Sequence, residues 1–169
     1  MSTLEQFRQQ GIDLLRDHPN DLPPELHHWI HVGQAATAQD YHRDQTVRSE
    51  VFDALRVVLE KFRLLVTPTL GCLPVDNAED GNTVGPRTID GQAVDPLIGW
   101  CMTCPINSTG HPAASAPAGL SVDGLPVGLQ IIGRRYADMD VLAASAALER
   151  QLPWREHYRR CAARPLVAP

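Results

Sequence analysis

The sequence predicts an α/β fold in which a few strands of a mixed sheet are flanked by helices. Three observations carry this. Residues 1–62 read as helical, residues 63–169 alternate strand and helix signals, and a strand–turn–strand block occupies 105–133. The whole of 1–169 is read as one region with room for a core of its own.

The helical part comes first. Thr3 to Arg16 is rich in helix formers, with Gly11 as a weak point, and His18-Pro19-Asn20-Asp21 is a break. A second helix starts near Pro23-Pro24, since proline suits a first turn, and runs to about Ala36. Thr37 caps a third, with Asp40 three residues on, close to a capping box. Val47, Val51, Leu55, Val58 and Phe62 then recur at helical spacing and predict one buried face.

The α/β part opens with Leu64-Leu65-Val66-Thr67, a short apolar strand closed by Pro68. Residues 71–95 mix glycine, proline and acids and predict a long loop. Pro96 to Thr103 predicts a short helix or an irregular lining segment. Ala113 to Ala116 and Leu125 to Ile132 predict strands joined through the Asp123-Gly124 turn signal. In the second, Leu125, Val127, Leu129 and Ile131 alternate on one face and Ile132 breaks the pattern. Asp138 is expected to cap a last helix, with Val141, Ala144, Leu148 and Leu152 as its stripe and Pro153 as its stop.

Composition narrows the function classes. The hydrophobic share is 43%, the charged share 21% and the formal net charge −5. A nucleic-acid module would need a clustered basic face, so Arg134-Arg135 and the basic residues from Arg155 to Arg164 read as solvated surface. No apolar run approaches the ~20 residues that span a bilayer, and the first residues do not pattern as a secretory leader. The expectation is a soluble, cytoplasmic protein that binds neither nucleic acid nor membrane. Four cysteines in that setting do not predict a disulfide framework.

Several residue groups invite a chemical reading. Cys101 and Cys104 form a Cys-x-x-Cys that could hold zinc or exchange thiols. No second such pair follows, and Cys72 and Cys161 stand apart, so the reading is two small thiols in a lining segment. His27 and His31 share a helix face with His28 beside them, but no third ligand is evident. Ser108, His111 and Ser115 lack a nucleophile-elbow pattern, and Asp76, Glu79 and Asp80 lack calcium-loop spacing. The sequence therefore predicts no metal and no cofactor.

The most specific signal is the string Pro105-Ile106-Asn107-Ser108-Thr109-Gly110-His111-Pro112-Ala113, then Pro117-Ala118-Gly119, then Gly124-Leu125-Pro126-Val127-Gly128-Leu129-Gln130-Ile131-Ile132-Gly133. It resembles the C-terminal block of the amidase signature family. Leu65 to Thr69, ending in Thr-Pro-Thr, resembles a family strand. Asp40-Tyr41 and Arg48 resemble the helix before that strand. Asp138 and Pro153-Trp154 resemble the family's acid-capped helix and the Pro-Trp near its end. The resemblance thus spans residues 37–158. Asn107 is expected to hold its loop by side-chain hydrogen bonds, and Gly110, Pro112, Gly128 and Gly133 to shape the scaffold through tight turns, fixed φ and close backbone approach.

The resemblance also implies what these residues do not supply. Family members use a serine nucleophile, a second serine in a cis peptide, and a lysine whose depressed pKa lets it accept a proton. This sequence has one lysine, Lys61, read as a helix-end surface charge, and no two adjacent glycines to form a Gly-Gly-Ser-Ser loop. No residue is assigned a catalytic role. The expectation is a fragment of a hydrolase of small amides, inactive alone, that needs an N-terminal amidase half or self-associates. In amidotransferase subunits of the family a carboxylate reads the glutamine ammonium; Trp100 stands at the matching position here. Trp100 is thus a candidate substrate-binding residue for an apolar or aromatic amide. The alternatives are a non-catalytic binding or assembly module on this scaffold, or a Cys-x-x-Cys metal or redox protein.

Overall fold

A computed structural model of the chain describes residues 3–155. Cys161 and the basic residues after Arg155 lie outside the described residues. Among those described, contacts group the chain into two compact units. One comprises the part before Val47 together with Asn77–Thr83, and the other Val47–Asp76 with the part from Val84 onward.

The first unit is helical. The expected single helix over 3–16 is instead two, α1 (Thr3–Gln9) and α2 (Leu14–Asp17). Gly11 breaks it by taking φ +79, and Asp13 caps α2 by accepting from the Arg16 amide at 3.2 Å. Helix α3 (Pro24–Ala35) starts on its proline as expected and buries Ile30. The Asn82 amide reaches Glu25 at 3.0 Å.

Helix α4 (Ala38–Lys61) begins in this unit and continues into the second. Its start is a reciprocal capping box. Thr37 N–H donates to Asp40 Oδ2 at 2.9 Å, and Asp40 N–H donates to Thr37 Oγ1 at 3.1 Å. The buried face matches the expected one only in part: Val51, Leu55 and Val58 are half-buried, with Leu55 packed on the core. Val47 and Phe62 are 52% and 61% exposed, while Leu59 is 2% exposed. The step of four from Leu55 leads to Leu59, and this residue, absent from the predicted stripe, anchors the core.

In the second unit, β1 (Leu64–Pro68), β5 (Pro126–Gly133) and β4 (Ala113–Leu120) form a three-stranded sheet in the order β1-β5-β4. Both pairings are antiparallel, with Leu65 opposite Ile132 and Ser115 opposite Gln130. The α/β class holds, but the parallel pairing of a mixed sheet is not found among the described residues. β4 and β5 are a hairpin, which can pair only antiparallel. Its turn is closed by Ser121, whose N–H donates to Leu125 O at 2.8 Å, with Gly124 at φ +78.

Alternation along β5 gives the sheet two faces. Gly133, on one, meets α6 (Asp138–Gln151), where a Cβ would come within 2.7 Å of Val141 Cγ2. Ile132, on the other, is fully buried and clusters with Leu59 and Ile106, with Leu55 and Leu65 packed around them. Burying such a side chain stabilises by ~1.5–3 kcal/mol. Asp138 opens α6 as its first residue rather than capping it; the cap is Ala137, without a side-chain bond. Val141 is buried as expected, but Leu152 is 47% exposed at the helix end.

Two elements were not expected. The 71–95 loop contains a small hairpin, β2 (Thr88–Ile89) and β3 (Gln92–Ala93), turned by Asp90 and Gly91 at φ 49 and 77. And α5 (Thr103–Thr109) is a helix where the sequence suggested a loop, ended by Gly110 at φ 71.

Candidate functional site

Where β1 runs out at Pro68, the chain turns through Thr69, Leu70, Gly71, Cys72, Leu73 and Pro74. This stretch, with Ser115, Pro126, Val127 and Gly128, encloses a hollow of about 470 Å³. Its walls are mostly apolar. Two hydroxyls line it, Thr69 Oγ1 and Ser115 Oγ, 2.7 Å apart, together with the Cys72 side chain. Thr69 is held there by its N–H, which donates to Gly128 O at 3.0 Å. A Cβ on Gly128 would stand 2.8 Å from Thr69 Oγ1 and 3.3 Å from Ser115 Oγ, so the hydroxyl pair requires glycine at that position.

One pair further along the sheet, Gln130 continues the polar line on the same face. It is 3% exposed, and its side-chain amide donates to Thr67 Oγ1 at 3.1 Å and to Met102 O at 3.3 Å. Thr67 Oγ1 donates in turn to Pro68 O at 3.0 Å. A buried amide with its donors satisfied fixes the strand and ties the start of α5 to the sheet. Sequence reasoning missed Gln130 and Thr67. The available signal was a lone amide side chain inside an apolar strand.

The wall of the hollow is braced by the 84–101 segment. Gly71 N–H donates to Trp100 O at 2.8 Å, and Leu70 bridges Cys101. The Trp100 indole N–H donates to Pro96 O at 3.0 Å, and its ring covers Gly85, where a Cβ would overlap it. Trp100 is half-buried and is not among the residues lining the hollow.

The remaining predicted motif residues act as scaffold to differing degrees. Gly110 ends α5 in the left-handed region. Pro112 O accepts from Gly133 N–H at 2.9 Å, which closes β4 onto the end of β5. Asn107 is exposed on α5. The bonds that close this turn come instead from Ser108 Oγ to Pro105 O at 2.6 Å and Thr109 Oγ1 to Ile106 O at 2.8 Å. Arg48 of α4 also donates to Ser108 O.

His111 and Ser115 are not brought together. His111 is buried, its ring lies tilted against Phe52 with centroids 5.3 Å apart, and its Nδ1 lies 2.9 Å from Thr109 Oγ1. The Thr109 hydroxyl proton is committed to Ile106 O, so His111 Nδ1 is the donor of that bond. Burial, then the nearby Arg135 charge, lowers the His111 pKa and favours the neutral ring. This ring borders a separate hollow of about 310 Å³ with Arg56, Glu60, Arg134 and Arg135.

The lining of the larger hollow includes no lysine, histidine or carboxylate. It can bind and orient a molecule through two hydroxyls and apolar walls, but it supplies no proton acceptor. Lys61 ends α4, exposed, as expected. Among the described residues no group of three His, Cys, Asp or Glu side chains is arranged to hold a metal ion. No helix there is long and apolar enough to cross a membrane.

The Amidase family model matches residues 9–142. The chain belongs to the amidase family. A bacterial aryl acylamidase of the amidase signature enzymes has a crystal structure that superposes with a TM-score of 0.87 at 51% identity, over 97% of this chain and 33% of that one. An acylamidase of Rhodococcus erythropolis is 31% identical over 74% of this chain and 26% of its own length. A glutamyl-tRNA(Gln) amidotransferase subunit of Dehalococcoides mccartyi is 35% identical over 81% of this chain and 27% of its own length. The chain thus spans about a quarter to a third of the length of these amidase relatives.

Proposed function

We propose that residues 1–169 are the C-terminal scaffold region of an amidase that hydrolyses the carbon–nitrogen bond of a small amide. The observation that carries this reading is the hollow beside β1. Its paired Thr69 and Ser115 hydroxyls suit an amide's polar atoms, and its proline and leucine walls suit an apolar or aryl substituent. Likeness to an aryl acylamidase supports the same class. Trp100, standing where a carboxylate would read an ammonium, supports a preference against glutamine.

These residues hold no Ser-Ser-Lys set, so they bind and position while a catalytic segment performs the acyl transfer. That segment is carried on the same polypeptide or supplied by an N-terminal amidase half. Its lysine accepts the nucleophile's proton, and its serine attacks the amide carbonyl. Exposed apolar residues such as Val66 (49%), Leu73 (43%) and Ile98 (46%) support a covered surface, by that segment or by a second copy.

The test mixes the chain with the N-terminal two thirds of the related aryl acylamidase and assays an aryl amide and glutamine. Aryl-amide cleavage by the mixture alone is expected. Cleavage by the isolated chain, or a co-purifying mixture that prefers glutamine, would sink the reading.

A further inference from the structure

The Cys-x-x-Cys is not absorbed by this reading. Cys101 and Cys104 occupy one turn at the start of α5, closed by Cys104 N–H donating to Cys101 O at 3.2 Å. Residues three apart on such a turn hold their Cβ atoms ~5–6 Å apart, wider than the ~3.5–4.5 Å a disulfide spans, so forming the bond draws the two together by a shift of the turn's backbone. Cys104 is exposed and Cys101 half-buried. A third thiol is near. Cys101 pairs by its backbone with Leu70, and Cys72 follows two residues on in the wall of the hollow. All three are free. Burial raises the Cys101 pKa, and the Cys104 and Cys72 thiols raise it further, so these side chains feel one another.

We propose that Cys101 and Cys104 are a redox-active dithiol, oxidised by a low-molecular-weight disulfide to an intramolecular disulfide at the start of α5. The exposed Cys104 thiolate attacks one sulfur of the oxidant R–S–S–R, expelling one RS⁻ and leaving a mixed disulfide. The Cys101 thiol then loses its proton and attacks the Cys104 sulfur, expelling the second RS⁻. The protein dithiol loses two electrons and two protons; the oxidant becomes two RSH. The product clamps the turn that carries Met102 O, the acceptor of Gln130, and Cys101, the partner of Leu70.

The test uses the full reduced chain, oxidised glutathione, alkylation and tryptic mass spectrometry. Cleavage at arginine places Cys101 and Cys104 together in residues 88–134 and Cys72 in residues 64–87. The expected product is peptide 88–134 lighter by two hydrogens, unalkylated, and restored by dithiothreitol. Cys72→Ala is expected to leave its yield unchanged, and Cys104→Ser to abolish it. A cross-link between the two peptides, stable glutathione adducts on both Cys101 and Cys104, or full alkylation of the oxidised sample would each overturn the proposal. The wild-type readout needs no variant to fold and no hydrolysis, so it stands or falls apart from the amidase reading.

Discussion

The Thr69 and Ser115 hydroxyls meet at 2.7 Å over the backbone of Gly128, joining two stretches that are far apart in sequence. The contact exists because β5 lies between β1 and β4 and carries no side chain at that point. Gly128→Ala should therefore destabilise the chain by ~1–3 kcal/mol, as overpacking does. Gly33→Ala, in α3 with nothing within 4 Å of the new Cβ, should instead stabilise by ~0.5–1 kcal/mol. Urea melts of both variants check the sign; equal effects would show that the hydroxyl pair does not constrain Gly128.

Gln130 is buried with its amide bonded to Thr67 and Met102. Gln130→Leu should cost ~1–3 kcal/mol by removing the donors of both acceptors. Thr67→Val removes the same contact from the other side. A double-mutant cycle should show coupling of ~0.5–3 kcal/mol; additive losses would mean that the pair is not one network.

His111 gives a pH dependence with a definite sign. Its folded pKa is lowered from 6.5 by burial first and Arg135 second. The unfolded chain therefore binds the proton more readily. This contribution to stability is present in full above pH 6.5 and is lost as pH falls through the folded value. His111→Gln should flatten the stability profile in that window, measured by melts at stepped pH. An unchanged slope would assign the acid sensitivity elsewhere.

Trp100 braces the hollow through Gly85 and Pro96. Trp100→Phe keeps an aromatic ring over Gly85 and loses one hydrogen bond, so a cost of ~0.5–1.5 kcal/mol is expected. Trp100→Asp should lose the packing as well and cost more. In an assembled amidase, Trp100→Asp should also weaken aryl-amide turnover relative to Trp100→Phe; equal turnover would leave the residue a brace alone.

Local chemistry was the legible part of the sequence. The Thr37–Asp40 box and the Asp123-Gly124 turn each depend on neighbours a few residues away, and each formed as read, whereas Leu125, read as the first residue of a strand, lies in the turn before β5. The end of the α4 stripe departs from the reading because helical spacing alone does not say which of Val58 and Leu59 faces the sheet most directly; Leu59 enters the cluster around Ile132, with Leu55 of the predicted stripe packed beside it. Helix α5 was missed because Pro105, Asn107, Ser108 and Thr109 are weak helix formers, although Gly110 is a stop signal of the right kind. Of the site, Gly128 and Gly133 were legible as positions of close backbone approach. The Thr69–Ser115 and Thr67–Gln130 contacts were not, since each joins residues brought together only by the strand order.

Strand β5 serves both halves of its surroundings with interleaved letters. Gly128, Gln130 and Ile132 address the hydroxyl line and α4, while Ile131 and Gly133 address the side where Val141 sits. An inserted or deleted residue anywhere from Gly128 to Gly133 would exchange the two audiences at once. Length in this stretch is therefore more tightly constrained than the identity of any single aliphatic residue in it, and tolerance to indels should end abruptly at its two boundaries.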